Sequence, residues 1–469
     1  MNSDITLNII EEQRTKVFKD LPEINLVRPC RLNDGVIRHS DFEKNKYKIK
    51  FDNTEKEICF FIPASGSGSR MFSFLFNFLH NPNEESRSQT ERFLNAIQTF
   101  AFFEMLPYDI KKRVREYDIN LDELVSYILN EEGLNLGSLP KGLIPFHRSR
   151  SFILNAFQEQ LLQGIQIKDS KVYFHFTINK SHEEAIQSAL DAIQQLTGRE
   201  SSIELSEQNP NTNSIAFEED KNPLEDENGD FVTRPSGHGA LLDNLNQIDK
   251  DIIFIKNIDN VQHESQATNT IDNLKYMGGL LESFKAELRD ALQSEDKRAA
   301  LALLNLQYQF TNPQLDFTKL TDEEIEKLIY RPIRICGMVP NEGQAGGGPF
   351  WEEKNGNLSK QIIEKAQISK NEKQYRLMVQ GQYFNPVLMA LSTKDIDGNK
   401  LDLQNFSDDE KYFIAEKTHK GKPIRFVERP GLWNGGMSDW LSVFVEIPTE
   451  TFTPVKNVLD LLNKAHQEI

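Results

Sequence analysis

The sequence predicts an α/β fold with a mixed, mainly parallel sheet that is covered by helices on both faces. From Lys171 to Asn260, apolar runs typical of strands alternate with segments of helical periodicity, and this order is typical of parallel sheets. The run Ile58–Ile62 is apolar without alternation, as in a parallel strand that is buried on both faces. Polar loops follow this run and the run Ile252–Ile255, at the strand ends where such sheets bind ligands.

Composition narrows the class of protein. The chain has 469 residues and a formal net charge of -17. That length suits two domains, or one large domain with insertions. The charge argues against a nucleic-acid partner, since non-specific duplex binding depends on clustered lysine and arginine. The cysteines, Cys30, Cys59 and Cys336, have no CxxC spacing. They therefore indicate neither a zinc site nor a disulfide framework, and a reducing compartment fits best.

The polar, acidic N-terminal segment "MNSDITLNIIEEQRTKVF" contains no apolar core of signal-peptide length. The chain also contains no apolar stretch that is long enough to span a bilayer. We therefore expect a cytoplasmic protein with no membrane partner. The oligomeric state remains unknown at this level.

The loop "SGSGSRM" at 65–71 is the most informative stretch. It follows the buried run directly, and small residues at such a place let the backbone approach a phosphate closely. A P-loop would require a lysine after Gly68, and a dinucleotide fingerprint would require glycine where Met71 stands. Both patterns therefore fit poorly, and a plain turn stays the simplest alternative.

A later motif favours another kind of phosphate loop. "SGSGSRM" and "PKGLIPF" (140–146) resemble, in order, the GGxGTRM and PKxLLP motifs of sugar-1-phosphate nucleotidyltransferases. "RPSGHGALLDNL" (234–245) and "KNIDNV" (256–261) resemble two segments of UDP-sugar pyrophosphorylases, and "LWNGGMSDWL" (432–441) resembles a stretch of thymidylyltransferases. The whole chain is also similar to a related bacterial family of unknown function that carries PNEGxxGGGPFW.

The resemblance has departures. Ser65 replaces the first glycine of the loop motif, and Ser69 replaces its threonine. Lys141 follows Arg70 by 71 residues, more than is usual in the family. The helical insertion between them must therefore fold outward and leave Lys141 close to Arg70.

The resemblance implies a GT-A-like, Rossmann-like fold with helical insertions. It also implies an enzyme that joins a sugar 1-phosphate to a nucleoside triphosphate, with UTP favoured, and releases pyrophosphate with Mg²⁺ or Mn²⁺. The alternatives are a non-catalytic nucleotide-sugar-binding protein and a GT-A glycosyltransferase.

Residue roles carry over by position. The resemblance implies catalytic roles for Arg70 and Lys141 and metal-ligand roles for Asp259 and Asn434. Backbone N–H groups of residues 66–69 would bind oxygens of the triphosphate. The predicted nucleotide-binding residues are Ser65, Gly66, Ser67, Gly68, Ser69, Gln208, Gly237, His238 and Gly239. The predicted sugar-binding residues are Glu342, Gly346, Gly347, Gly348, Glu364 and Asn385.

Each key residue has a simpler interpretation. Arg70 could form a surface ion pair, and Lys141 could be merely solvated. Asp259 could cap the next helix, and Asn434 could be a turn residue before the two glycines that follow it.

Domain organisation is predicted as consecutive segments. Residues 1–50 form an N-terminal segment of helix and loops. Residues 51–265 form the nucleotide-binding half, with a helical insertion at about 72–135. Residues 266–330 form a second helical insertion. Residues 331–469 form the sugar- or acceptor-binding half and the C-terminal segment.

Overall fold

The computed structural model describes residues 7–19, 21–199, 201–343, 347–368 and 371–468. The protein has a mixed α/β fold with a large, mostly parallel sheet. Its residues fall into two compact units that are each assembled from separate chain segments. Unit 1 comprises Met1–Ile58, Gln208–Ile255 and Lys275–Thr449, and unit 2 comprises Cys59–Glu207, Lys256–Leu274 and Glu450–Ile469.

The α-helices occur throughout the chain. In chain order they are α1 Leu7–Phe18, α2 Asp41–Asp52, α3 Ser73–His80, α4 Glu84–Asn95, α5 Tyr108–Arg115, α6 Leu121–Leu129, α7 Ala156–Ile165, α8 Glu183–Thr197, α9 Leu241–Gln247, α10 Thr268–Gln293, α11 Lys297–Tyr308, α12 Asp322–Ile329 and α13 Glu372–Val379.

The β-strands are short. In chain order they are β1 Leu26–Pro29, β2 Arg31–Leu32, β3 Gly35–Ile37, β4 Ile58–Pro63, β5 Pro145–Ser149, β6 Phe152–Asn155, β7 Val172–Thr177, β8 Ser201–Ser206, β9 Ser214–Ile215, β10 Thr233–Arg234, β11 Ile252–Ile255, β12 Ile333–Pro340, β13 Gly348–Lys354, β14 Asn357–Ile363, β15 Tyr383–Phe384, β16 Met389–Ser392, β17 Phe413–His419, β18 Lys422–Glu428 and β19 Leu441–Glu446.

Unit 1 contains the strand order β2-β3-β19-β12-β16-β11. The pairs β2–β3, β3–β19 and β19–β12 are parallel, whereas β16 runs antiparallel to both β12 and β11. The same unit contains the antiparallel sheet β1-β13-β14 and the hairpin β17–β18. The antiparallel members make this half of the fold mixed, as the sequence predicts.

Unit 2 is organised on the parallel strands β4, β7 and β8. Five of the six residues of β4 are buried without alternation, and Phe60, Phe61 and Ile62 are at most 1% exposed. That pattern follows from apolar side chains on both faces, so the prediction of a doubly covered strand is confirmed. The antiparallel pair β5–β6 leads into α7.

Both predicted helical stretches contain helices. Helices α3 to α6 lie between residues 73 and 129, and α10 to α12 lie between 268 and 329. The first 50 residues contain three short strands besides helix, and their short polar sequence gives no period-2 pattern that could have predicted them. The predicted division into consecutive domains stays a prediction.

Two features expected from composition can be checked directly. Cys30, Cys59 and Cys336 are free and buried. Across the described ranges, none of the helices combines the length and the apolar character needed to cross a membrane.

Candidate functional site

The predicted phosphate loop lies in unit 2, directly after β4. The N–H of Ala64 donates to Thr177 O at 2.8 Å and thereby extends the pairing of β4 with β7. Within the loop, Ser67 Oγ accepts from the N–H of Ser69 at 3.2 Å and lies 3.0 Å from Ser69 Oγ. A helical turn, Ser69–Phe72, then leads into α3. The loop therefore has a defined internal conformation.

Backbone hydrogen bonds join this loop to the PKG motif. Gly68 N donates to Leu139 O at 3.0 Å, and Lys141 N donates to Gly66 O at 3.1 Å. A Cβ atom on Gly68 would lie 2.5 Å from Ile144 Cδ1, whereas one on Gly66 would meet open space. Gly68 is therefore required by the packing of the two loops, and Gly66 leaves room for a ligand. The insertion between the two motifs therefore leaves them in contact.

These contacts reduce the number of donors that the loop can offer to a phosphate. The N–H groups of Gly68 and Ser69 already donate within the protein, to Leu139 O and Ser67 Oγ. In the described part of the chain, the N–H groups of Gly66 and Ser67 have no acceptor. The prediction that the N–H groups of residues 66–69 all bind phosphate therefore narrows to these two. Ser65, half-buried, lies just before them.

Arg70 is exposed and makes no ion pair or side-chain hydrogen bond with any described residue. The interpretation of Arg70 as half of a surface salt bridge therefore finds no partner in these ranges. Its guanidinium, with five N–H donors, is available beside the loop.

Lys141 contacts the third motif. Its ammonium donates to Asp259 Oδ2 at 2.6 Å, and the two side chains are 16% and 20% exposed. Lys141 is therefore paired rather than merely solvated. Asp259 does not cap a helix, because the next helical turn begins at Glu264 and is capped by His263. Three motifs that are far apart in sequence thus meet within unit 2.

The segment that carries Asp259 is held from two sides. On one side, Gln160 Nε2 of α7 lies 3.0 to 3.4 Å from the carbonyl oxygens of Asn257, Ile258 and Asn260. Sequence reasoning missed Gln160, because a glutamine within a helix carries no distinguishing signal.

On the other side, residues of the 450–469 segment clamp Asn260. Asn260 Nδ2 donates to Thr451 O at 3.2 Å, and Thr453 N donates to Asn260 Oδ1 at 2.9 Å. Val455 N donates to Asp259 O at 3.0 Å. Asn260 is 1% exposed, so both functions of its amide are satisfied by the backbone. The position of Asp259 therefore depends on this clamp.

A buried polar cluster, His147, Glu159 and His466, packs in the same unit. His147 Nδ1 lies 2.6 Å from Glu159 Oε1, and His147 Nε2 lies 2.9 Å from His466 Nδ1. Burial raises the pKa of Glu159 to about 8 and lowers the pKa of both histidines to about 3. Burial thus opposes both charged forms, and the pair is a neutral carboxylic acid that donates to a neutral imidazole.

Unit 1 carries a second group of predicted residues, around His238. Leu432 N donates to His238 Nδ1 at 2.9 Å. In a neutral ring the proton is therefore on Nε2, which lies 3.6 Å from Glu364 Oε1. The imidazole stacks on Trp433 with ring centroids 4.1 Å apart and an interplanar angle of 16°. The stack fixes the orientation of both rings.

Glu364 remains a carboxylate in this group. Burial alone would raise the pKa of Glu364, but its hydrogen bond to His238 and the contacts with Asn434 and Trp433 outweigh that effect and lower it. Arg334, fully buried, donates to Trp433 O at 2.7 Å and thereby supports the turn. The sequence motif at 432–441 did not identify Trp433 as a functional residue, although Trp433 directly precedes Asn434 in it.

Several buried polar atoms in unit 1 have no hydrogen-bond partner among the described residues, and three of them belong to this group or to predicted site residues. They are Asn434 Oδ1, Gln367 Nε2 and Asn385 Nδ2, in side chains that are at most 4% exposed. Asn434 Nδ2 donates to Gln367 Oε1 at 3.3 Å. Buried polar groups are normally satisfied, so these orphan atoms are candidates for contacts with a ligand. Asn434 is thus more than an ordinary turn residue.

The predicted sugar residues fall partly in this group. Asn385 N donates to Gly347 O at 2.9 Å, and a Cβ on Gly347 would lie 3.3 Å from Glu364 Cγ. Gly348 begins β13, and Glu342 is exposed. Gly346 lies outside the described residues. Glu364, Gly347 and Asn385 are therefore brought together.

Packing and backbone conformation require glycine at both glycine positions of the GHG motif, Gly237 and Gly239. Gly237 has φ +72°, and a Cβ there would also lie 2.7 Å from Glu428 Oε2. A Cβ on Gly239 would lie 2.2 Å from Pro430 O. Packing against the 428–430 segment therefore explains both glycines without a ligand. Gln208, half-buried, is not part of the His238 group.

The predicted metal site stays a prediction. Within the ranges that the structure describes, no three His, Cys, Asp or Glu side chains are grouped as metal ligands. Mg²⁺ commonly takes only one or two protein oxygen ligands together with substrate phosphates. Asp259 Oδ1 and Asn434 Oδ1, which have no hydrogen-bond donor among the described residues, have the required chemistry.

The sequence of the chain matches one family model over nearly its whole length. The chain belongs to the family described as "Domain of unknown function (DUF4301)", whose model matches residues 1–467. No curated protein matches the sequence.

Solved structures give remote similarities. A mutant of UDP-glucose pyrophosphorylase from Leishmania major, in complex with UDP-Glc, is 12% identical, with a TM-score of 0.46 over 98% of this chain and 76% of that chain. A UDP-glucose phosphorylase from Trypanosoma brucei is 13% identical, with a TM-score of 0.44 over 94% of this chain and 69% of that chain.

Proposed function

We propose that the protein is a nucleotidyltransferase that joins a sugar 1-phosphate to a nucleoside triphosphate and releases pyrophosphate, on a GT-A-like fold. One observation carries the proposal. The backbone joins the loop 65–70 to Lys141, and the ammonium of Lys141 pairs with Asp259. These are the three motifs of unit 2 whose resemblance implies this reaction, and they meet at one place.

The reaction requires positioning and charge stabilisation more than covalent chemistry. An oxygen of the sugar phosphate attacks the α-phosphorus, the bond from that phosphorus to the bridging oxygen breaks, and the electron pair leaves with pyrophosphate. The N–H groups of Gly66 and Ser67 would donate to phosphate oxygens. Arg70 would compensate the negative charge that grows on the leaving group.

Lys141 can serve two partners at once. An ammonium has three N–H donors, and Asp259 accepts one of them. The remaining donors would hold the α-phosphate and the acceptor phosphate close to each other. Asp259 in turn fixes the ammonium at the end of the loop.

Mg²⁺ or Mn²⁺ would neutralise phosphate charge when bound. Asp259 would offer Oδ1 to the ion while Oδ2 holds Lys141, and Asn434 in unit 1 stays the second predicted ligand. The acceptor phosphate is already anionic at neutral pH, so the proposed reaction needs no general base.

The orphan amides of unit 1 would serve the nucleotide and the sugar. Hydroxyl groups of a sugar both donate and accept, so they suit the free Nδ2 of Asn385 and the free Nε2 of Gln367. The resemblance of the GHG motif to that of uridylyltransferases favours UTP. The roles of His238, Gln208 and the glycines in base binding remain part of the proposal.

The test is a matrix of nucleoside triphosphates and sugar 1-phosphates with Mg²⁺. Pyrophosphate release and the mass of the nucleotide sugar are measured together. We expect one pair, with UTP first, to give both products. Binding of a nucleotide sugar without any turnover would instead favour the non-catalytic alternative. No thermal shift with any nucleotide would contradict the proposed function altogether.

A further inference from the structure

A cavity of about 740 Å³ lies within unit 1. Of the residues to which the proposed function assigns a role, Gly239 alone is among those that line it. Helix α1, the 210–215 segment and the 429–436 turn contribute to its lining. Ile9, Leu242 and Val427 supply apolar surface, and Asn211, Thr212 and Gln404 supply amides and a hydroxyl. Its volume is within the range of sites for small metabolites.

The charges that line the cavity are unequally paired. They come from Glu12, Lys16, Asp409 and Arg429. Lys16 Nζ lies 2.7 Å from Glu12 Oε1, so these two largely neutralise each other. Asp409 is exposed. The half-buried guanidinium of Arg429 has no ion pair or side-chain hydrogen bond with the described residues.

We propose that this cavity binds an organic phosphate of sugar size, with Arg429 contacting its phosphate. A guanidinium forms two parallel hydrogen bonds to a phosphate and is the side chain best suited to that group. Gln404 Nε2 and the Thr212 hydroxyl already donate to Asp243 Oδ1 and Asn209 O, so Gln404 Oε1 and Thr212 Oγ1 remain as acceptors. Together with the amide of Asn211 they match the hydroxyl groups of a sugar body. The ligand therefore has one strongly anionic end and an uncharged, hydrogen-bonding remainder.

The backbone of Arg429 connects the cavity to the His238 group. Arg429 N donates to Ser236 O at 2.9 Å, and the carbonyl of the next residue, Pro430, packs on Gly239. Leu432 N donates to His238 Nδ1. A ligand that orders Arg429 therefore also orders the turn that holds His238. If the proposed function holds, on which this step rests, the ligand changes the affinity for the nucleotide, and the nucleotide changes the affinity for the ligand by the same factor, because coupling between binding sites is reciprocal.

Titration calorimetry with ribose 5-phosphate tests the site without turnover. We expect binding to the wild type and a loss of about 10-fold or more in affinity for Arg429→Ala, since a charged hydrogen bond is lost. Arg429→Lys should fall between them, and Arg376→Ala, an exposed arginine on α13 in the same unit, should bind as the wild type does. Equal affinity of wild type and Arg429→Ala, or no binding at all, would overturn the site.

Two further arms separate the sources of binding. Inorganic phosphate should bind more weakly than ribose 5-phosphate, and equal affinity would overturn the requirement for a sugar body. Citrate should also bind more weakly, and tighter binding of citrate would overturn the phosphate class. Arg70→Ala could lose ribose 5-phosphate binding while Arg429→Ala retains it. That outcome would place the ligand on the predicted phosphate loop and overturn the cavity proposal.

The cavity and the proposed reaction can fail separately. If no substrate pair yields pyrophosphate but Arg429 still governs ribose 5-phosphate binding, the proposed function falls and the cavity stands. If turnover occurs and ribose 5-phosphate gives no calorimetric response, the cavity proposal falls and the proposed function stands.

Discussion

In unit 2 the candidate residues are charged and partly exposed, whereas in unit 1 they include buried amides beside a half-buried pair of stacked rings. Lys141 and Asp259 retain 16% and 20% exposure, and Arg70 is exposed. Asn434 and Asn385, by contrast, are 1% and 2% exposed and each carries an unpartnered polar atom. The first arrangement suits charge that develops during a reaction, and the second suits recognition of a ligand's shape.

This difference gives the two regions separate kinetic signatures. Groups that stabilise charge only in the transition state change kcat. Groups that hold a substrate equally well before and during the reaction change KM. The predictions below test that separation, in order of the expected effect on turnover.

Lys141→Met should have the largest effect, a loss of about 10³-fold in kcat, because it removes the charge that we propose to hold the reacting phosphates and leaves Asp259 unpaired. Arg70→Ala should cost about 10²-fold, since the growing charge on pyrophosphate loses one partner. Pyrophosphate release under saturating substrate measures both. Lys112→Met and Arg87→Ala, at exposed positions of the same unit, are the matched controls. Wild-type kcat in either test variant would remove that residue from the reaction.

Asn260→Ala should lower kcat by about 10-fold, because the clamp that positions Asp259 loses both of its side-chain hydrogen bonds. It should also reduce the free energy of unfolding by about 2 kcal/mol, since buried backbone groups are left unsatisfied. Asn457→Ala is the control, because Asn457 only caps a turn in the same segment and should cost about 1 kcal/mol of stability with unchanged kcat. An equal change of kcat in both variants would mean that the clamp has no positioning role.

Trp433→Leu should raise the KM for the nucleotide or sugar about 5-fold with nearly unchanged kcat, because loss of the stack frees His238 to rotate. Initial rates over a range of both substrates separate the two constants. Phe284→Leu, a buried aromatic residue in α10 of the same unit, controls for lost packing. A fall in kcat with constant KM would reverse the contrast between the units.

Glu159→Gln should leave turnover unchanged and alter only how stability depends on pH. The pKa of Glu159 is raised by burial from 4.5 to about 8 in the folded protein. The folded state therefore binds more protons than the unfolded state between these values, and stability is lost as the pH rises through that window. Glutamine imitates the protonated acid, since its amide can donate to His147.

Relative to Glu159→Gln, the wild type should lose about 1.4 kcal/mol for each pH unit in that window. Chemical unfolding of both proteins at pH 5, 6 and 7 measures the difference. A flat or opposite difference would mean that the folded pair holds no proton beyond those of the unfolded chain, and that Glu159 is deprotonated in the folded state.

The sequence predicted the parts of the fold that repeat a local pattern. The apolar run at β4, the helical stretches and the motifs of unit 2 could be found because each carries its signal within a few residues. The resemblance implied that Lys141 stays close to the loop of Arg70, and two backbone hydrogen bonds, Lys141 N to Gly66 O and Gly68 N to Leu139 O, join that loop to the segment of Lys141.

What could not be predicted depends on contacts between distant segments. Gln160, Asn260 and the 450–469 segment act through backbone carbonyls and N–H groups, which have no sequence signature. The reason for Gly68 was also hidden, because it lies in the space taken by Ile144. A glycine that is required by packing and one that admits a ligand look the same in sequence.

The clamp on Asn260 has a consequence for how the protein is made. Thr451 and Thr453, which form the clamp beside Asp259, are translated only after residues 275–449 of unit 1. The ribosome adds about 5–20 residues per second, so Asp259 waits on the order of ten seconds or more for Thr451 and Thr453. During that interval a nascent chain exposes unpaired groups beside the phosphate loop. Chaperone binding to nascent chains should therefore end when residues 450–469 emerge, and not when the motifs themselves do.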